Sequence, residues 1–180
     1  MHRVLVLYAT EDGQTRKIAT RVAELLAKKR IDAHLRDAGS SRAAAHLASF
    51  DGIVIGASVH YGHHRRELRN LVAEHGALLH TRHTAFFSVS LSAGGPTPDR
   101  DGAKRYLEEF IEDTGWLPDQ SAAFAGAIRH SRYSLVRTIM LRLSLLTKGM
   151  PEAGDHEYTD WHAVTAFVET FARRLESPKR

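Results

Sequence analysis

The sequence predicts a three-layer α/β sandwich, with one five-stranded parallel sheet of order 2-1-3-4-5 and helices on both faces. Three observations carry this expectation. The apolar runs Val4–Tyr8, Gly52–Ala57 and Thr84–Val89 are continuous rather than alternating, as strands covered on both sides must be. Segments with apolar residues at helical spacing separate them, and such alternation of strand and helix calls for right-handed crossovers and a parallel sheet. The chain, 180 residues long and 43% hydrophobic, is large enough to bury one core. A single domain is therefore expected over residues 1–176, with a tail at 177–180 that frays.

Each element follows from local pattern. Val4-Leu5-Val6-Leu7-Tyr8 reads as the first strand, and Ile18, Ala19, Val22, Leu25 and Leu26 mark the stripe of the first helix. Ile31, Ala33 and Leu35 alternate with Asp32, His34 and Arg36, which suits a half-exposed strand near a sheet edge. Residues 38–51 are small, polar and alanine-rich and give a short helix or loop. Gly52–Ala57 is a third, buried strand; Leu68, Leu71, Val72 and Leu78 mark one helix, and Thr84–Val89 the fourth strand. Leu107, Phe110 and Ile111 belong to a helix ending near Gly115, Ser121 to Ala127 to the fifth strand, and Val164, Phe167, Val168, Phe171 and Leu175 to the last helix.

About thirty residues, roughly 129–157, separate the fifth strand from that last helix, where such connections usually take about 2 to 6. This is an insertion. Within it Leu135, Val136, Ile139, Met140, Leu143 and Leu146 fall on one broad helical face, with Arg137, Arg142 and Lys148 elsewhere. So apolar a helix must be covered, by its own domain, by a second copy in a homo-oligomer, or by an anionic interface such as a bilayer.

Composition narrows the chemistry. No cysteine is present, which excludes disulfides, thiolate catalysis and Cys-ligated metal centres, so redox chemistry requires a bound cofactor. The formal net charge of +4 favours an anionic partner. Nucleic acid is not expected, since no RNP-type motif or helix-turn-helix pattern is present. Met1-His2-Arg3 runs directly into a strand without a signal-like h-region, and no run reaches the length of a membrane span, so a cytoplasmic location is expected.

In a sheet of this order, strands 1 and 3 send their connections to opposite faces, and a ligand crevice opens at their carboxyl ends. The loop after strand 1, Thr10-Glu11-Asp12-Gly13-Gln14-Thr15, combines hydroxyls and a flexible glycine with a helix N-terminus, which suits a phosphate. It lacks the Walker Gly-Lys-Ser/Thr ending and the three spaced glycines of a dinucleotide site. An ordinary turn with Thr15 as N-cap is the alternative. The loop after strand 3, Ser58-Val59-His60-Tyr61-Gly62, offers flat rings and a glycine beside a planar ligand. In the loop after strand 4, Leu91-Ser92-Ala93-Gly94-Gly95, the pair Gly94-Gly95 offers bare peptide N–H groups on the other side. A phosphate at one end and a planar heterocycle at the other describe flavin mononucleotide (FMN).

The stretches Tyr8–Thr15 with Ile18-Ala19, Val54–His63 and Tyr158-Thr159-Asp160-Trp161 together resemble the flavodoxin-type, menaquinone-dependent protoporphyrinogen IX dehydrogenases of bacteria. Ala85–Val89 and Ala125–Arg129, ahead of Arg132-Tyr133, add to the likeness, which spans nearly the whole chain. The resemblance implies a flavodoxin-like fold with an insertion after or within strand 5, and noncovalent FMN held by Thr10–Thr15, Ser58–Gly62 and Leu91–Gly95. It further implies oxidation of protoporphyrinogen IX to protoporphyrin IX in haem biosynthesis, with electrons passed to a membrane quinone, menaquinone or ubiquinone, and peripheral association with the inner face of the cell membrane. On this reading the tetrapyrrole propionates pair with Arg129, Arg132 or Arg137. These arginines equally suit a solvated surface. His60, His63 or His64 can relay protons; a metal site there is not expected, because Glu67 is the sole nearby carboxylate. A flavodoxin-like electron carrier, an FMN-dependent NAD(P)H:quinone reductase and an empty binding module remain as alternatives.

Overall fold

The computed structural model describes residues 1–129 and 155–179. Five parallel strands form the sheet: β1 (Arg3–Ala9), β2 (Asp32–Asp37), β3 (Gly52–His60), β5 (His83–Ser90) and β6 (Gln120–Ala125), in the order β2-β1-β3-β5-β6. Counting these five alone, the order is the expected 2-1-3-4-5. A two-residue strand, β4 (His63–His64), folds back antiparallel on the end of β3.

Strand alternation builds the three layers. Val4, Val6 and Tyr8 point to one face, where α1 (Gln14–Lys28) contributes Ile18, Val22 and Leu26. The last helix, α5 (Trp161–Leu175), adds Val164, Phe167, Val168, Phe171 and Leu175 to the same core. Leu5 and Leu7 point to the other face, toward α2 (Arg66–Glu74), α3 (Gly76–His80) and α4 (Arg100–Thr114), with Leu68, Val72, Leu79, Phe110 and Trp116. The central strands have no wet face, which explains their unbroken apolar sequence. β2 lies at the edge and is only half-buried, as its alternation predicts.

Three boundaries differ from the sequence expectations. The helix predicted through Leu78 is two helices, because His75 interrupts it: its Nδ1 lies 2.9 Å from the Leu71 carbonyl, and Gly76 opens α3. Residues 38–51 carry only a single short 3-10 turn, Leu47–Ser49. The fifth strand ends at Ala125, not Ala127. Gly126 N–H still donates to Ser90 O of β5, but its carbonyl accepts from Tyr158 N–H, so the chain changes neighbours at this residue. Ala127–Arg129 then forms β7, antiparallel to β8 (Asp155–Glu157), with Ala127 opposite Glu157. The insertion thus leaves and re-enters through one narrow ribbon. The apolar helix expected at 135–146, with Arg132 and Arg137, lies outside the described residues.

Re-entry is fastened on both sides. Asp160 caps α5, its Oδ1 accepting from the N–H groups of His162 (2.9 Å) and Ala163 (3.1 Å). Asp160→Ala is expected to cost about 1 kcal/mol, lowering the midpoint of thermal unfolding by roughly 2–4 °C; an unchanged melt would show that the cap adds nothing. Of the tail, residues 177–179 are described, and Lys179 Nζ pairs with the Asp119 carboxylate. Among the described residues no helix is long and apolar enough to cross a membrane.

Candidate functional site

The carboxyl ends of β1, β3 and β5 surround a cleft of ≈ 390 Å³, a volume within the range of roughly 300–1,000 Å³ typical of small-molecule sites. Its first wall, from the loop after β1, is Thr10, Asp12, Gln14 and Thr15, and its second wall is the whole lip Ser58-Val59-His60-Tyr61-Gly62. Leu91 and Ser92 lie opposite. The sequence thus brought three separate loops to one cavity, where the strand order requires them.

Local chemistry shapes the first wall. Gly13 adopts φ 87°, a left-handed conformation, and serves as the N-cap of α1 without any side-chain cap. Thr10 Oγ1 accepts the Gly13 N–H at 2.9 Å, folding the loop back toward the helix axis. Thr15 is therefore not the N-cap; it sits inside the first turn. Its Oγ1 is buried and has no hydrogen-bond partner among the described residues, and the same is true of Ser58 Oγ across the cleft. A buried hydroxyl left unpaired costs roughly 1–3 kcal/mol, so two of them on residues that line one cavity point to a polar ligand. No lysine or arginine lines the cleft among the described residues. An anion here relies on hydroxyls, backbone N–H groups and the positive end of α1.

The turn of α1 that bears Gln14 and Thr15 is tied to the far side of the sheet. Gln14 Nε2 donates to Thr159 Oγ1 (2.9 Å), which donates in turn to Ala125 O (2.8 Å). Lys17 Nζ reaches Glu157 Oε2 at 2.5 Å and lies 5.3 Å from the centroid of the Trp161 ring, while Trp161 Nε1–H donates to Glu157 Oε1. Partial burial is the largest single influence on the Glu157 carboxyl and pushes it up, but the Lys17 hydrogen bond and charge, with the hydrogen bonds from Trp161 and Gln14, together outweigh it and hold the group below the ordinary carboxylate range.

Several expected site residues do not line the cleft. Glu11 turns outward, its Oε1 3.6 Å from Arg65 Nε. Gly94 does not offer a bare donor: its N–H goes to Leu91 O (3.1 Å), closing a turn, while Ala93, which does not line the cleft either, gives its N–H to Ser90 Oγ (3.3 Å). Gly94 instead permits close packing, since a Cβ there would fall 2.7 Å from Ala125 Cβ and 2.8 Å from Tyr158 Cβ. Gly95 is left-handed, φ 87°, and lies beyond the wall. Arg129 ends β7 two residues past the cleft-lining Ala127. The three histidines separate: His60 lines the cleft, His63 is exposed and His64 is buried.

Sequence reasoning missed Val89, Ser90, Tyr106, Gly126 and Ala127, all of which line the cleft. Val89 and Ser90 are the last residues of β5, and the rule that ligands meet strand ends was enough to include them. Gly126 follows β6 in the same way. Tyr106 reaches the cavity from α4, and nothing local announces that.

Comparison with known proteins agrees with this geometry. Residues 5–153 match the flavodoxin domain family. The chain is 32% identical over 178 residues to the protoporphyrinogen IX dehydrogenase (quinone) of Escherichia coli K12, covering 98% of each chain. It is 32% identical over 175 residues to the enzyme of that name from Leishmania major, covering 94% of this chain and 74% of that one. Among solved structures, oxidised flavodoxin 1 from Bacillus cereus superposes with a TM-score of 0.59 at 15% identity, covering 95% of this chain and 97% of the other. That last likeness establishes the fold.

Proposed function

The chain belongs to the flavodoxin domain family and, within it, to the protoporphyrinogen IX dehydrogenases (quinone), and on that premise we propose that it oxidises protoporphyrinogen IX through bound FMN and delivers the electrons to a membrane quinone. The observation that carries the cofactor assignment is the pair of unpartnered buried hydroxyls, Thr15 Oγ1 and Ser58 Oγ, in one cleft. They fit FMN, a molecule with a phosphate at one end and hydrogen-bonding edges at the other.

Thr10, Thr15 and the first turn of α1 would hold the phosphate, where the helix field favours negative charge without a cationic side chain. Ser58–Gly62, with Leu91 and Ser92, would hold the planar ring. When bound, FMN supplies the hydride acceptance and its return to an oxidant, chemistry that no side chain here offers. The protein's part is to orient, exclude water and manage protons. His60 is the one of the three expected histidines that lines the cleft, so its ring nitrogens are assigned the proton taken from or returned to the substrate. The ribbon β7–β8 starts from the cleft wall at Ala127, so the chain enters the insertion from beside the cleft. Propionate pairing by Arg129, Arg132 or Arg137 and contact with the bilayer that holds the quinone belong to this proposal.

The test is an anaerobic assay of FMN-loaded protein with protoporphyrinogen IX and a menaquinone analogue, following porphyrin fluorescence. Quinone-dependent appearance of porphyrin is expected. Fully loaded protein that produces none contradicts the proposal.

A further inference from the structure

The buried histidine beside the cleft has no part in the chemistry above, yet it is built into the wall. His63-His64 returns antiparallel onto the end of β3, pairing His60 with His63 and Val59 with His64. The connection is the two-residue turn Tyr61-Gly62, with φ 49° and 84°. Both central residues are left-handed, as a type I′ hairpin requires, but the first is a tyrosine where such turns favour asparagine or aspartate. Tyr61 is 73% exposed, and its ring contact with His60, at 4.3 Å between centroids, stays within the hairpin and does not anchor it to the sheet. Two residue pairs and a strained turn do not hold themselves in water. Something else must fix this lip.

We propose that His64 is the latch of the Ser58–Gly62 lip, a positioning residue that acts through the hairpin and never touches the ligand. His64 does not line the cleft; its side chain packs on β5 and α4. There Nε2 lies 3.0 Å from Ser88 Oγ on β5, and Ser88 is itself 1% exposed. The imidazole meets the rings of Phe86 and Phe110 edge-on, at centroid distances of 5.7 and 5.1 Å. One side chain thus ties β4 to the middle of the sheet and to α4. The lip it secures forms a whole wall of the cleft.

The latch is neutral, which sets its pH dependence. Burial, chiefly, and then the Arg69 guanidinium of α2 push the His64 pKa down to about 4; His63 on the same strand acts in the same direction, and Asp113 of α4 opposes. Once the hairpin opens, the imidazole returns to an ordinary value near 6.5. Above that value both states are neutral and the latch is fully effective. As pH falls from 6.5 toward 4, the open state takes up a proton that the closed state refuses. The closed-to-open ratio then drops by up to tenfold per pH unit.

The test is hydrogen exchange of the amides of residues 59–64 in the full chain, without added flavin and corrected for intrinsic rates. In the wild type, protection is expected to fall roughly tenfold between pH 6.5 and 5. His64→Gln can still bond Ser88 but does not titrate, so protection should survive and its pH dependence vanish. Ser88→Ala should lower hairpin protection severalfold at both pH values while β1 amides stay unchanged. If His64→Gln keeps the wild-type pH dependence, or Ser88→Ala leaves the hairpin fully protected, the latch is wrong. That loosening the lip also weakens FMN binding rests on the reading given above. The exchange result does not, so protein that shows the latch but ignores FMN overturns the cofactor assignment alone.

Discussion

Thr15→Val is expected to weaken FMN binding by roughly 10- to 100-fold while leaving the flavin-free protein as stable as before or more so. The two halves have one cause. Valine keeps the shape and β-branching of threonine, so packing in the first turn of α1 is preserved. In the free protein the Thr15 hydroxyl is buried without a partner, and its removal relieves a group that costs roughly 1–3 kcal/mol. With FMN bound, the same hydroxyl would donate to a phosphate oxygen, and hydrogen bonds to charged groups contribute about 1.5–3 kcal/mol, which is the stated loss of affinity. Quenching of FMN fluorescence measures the first effect and thermal melting of flavin-free protein the second. Unchanged affinity with reduced stability would make Thr15 a packing residue only.

Gly56→Ala should cost about 3 kcal/mol, at the upper end of what an overpacked core shows. Gly56 on β3 pairs in register with Phe87 on β5, whose ring lies across the space a side chain would take. A Cβ there would stand 2.1 Å from Phe87 Cζ. The ring has no easy retreat, because Phe87 is fully buried and packs against Phe124 and Phe167 at 5.7 and 6.1 Å. For a chain of this size the thermal midpoint should drop by roughly 6–12 °C. Denaturant unfolding should show a lower midpoint at an unchanged slope, since the surface exposed on unfolding is the same. A loss below about 1 kcal/mol would mean that the ring and its neighbours repack freely.

What the sequence revealed and what it hid divide along one physical line. Contiguous signals survived. The run Val4–Tyr8, the turn residues Thr10–Thr15 and the lip Ser58–Gly62 each lie within one short segment, and strand order then places them together. Signals that depend on a partner elsewhere were misread. Gly94 looked like an open backbone donor, but its N–H is taken by Leu91 and its missing side chain makes room for Tyr158. Tyr106 carries no local mark of its place in the cleft wall, because that place depends on how α4 lies on the sheet. The motif Tyr158-Thr159-Asp160-Trp161 was legible only as a likeness. The structure gives it physical content: Thr159 links Gln14 to Ala125, Asp160 caps α5 and Trp161 joins Glu157 beside Lys17.

The histidines show the same divide. Three of them fall within five positions of the chain and read alike as residue types. Hairpin geometry gives them three different fates: His60 toward the cleft, His63 toward solvent and His64 against Phe86 and Phe110. The pairing register puts His64 on the face opposite to His60 and His63, and a turn at Tyr61-Gly62 with two left-handed residues is what sets that register.

Two half-reactions viewed separately reach the heart of the proposal. FMN-loaded protein is mixed anaerobically with protoporphyrinogen IX in the absence of quinone, and the visible absorbance of the flavin is followed before and after a menaquinone analogue is added. The yellow colour should bleach as porphyrin fluorescence rises and return when the quinone enters. A flavin that stays yellow in the presence of porphyrinogen, yet bleaches with NAD(P)H, would contradict the proposed substrate and identify a quinone reductase on the same scaffold.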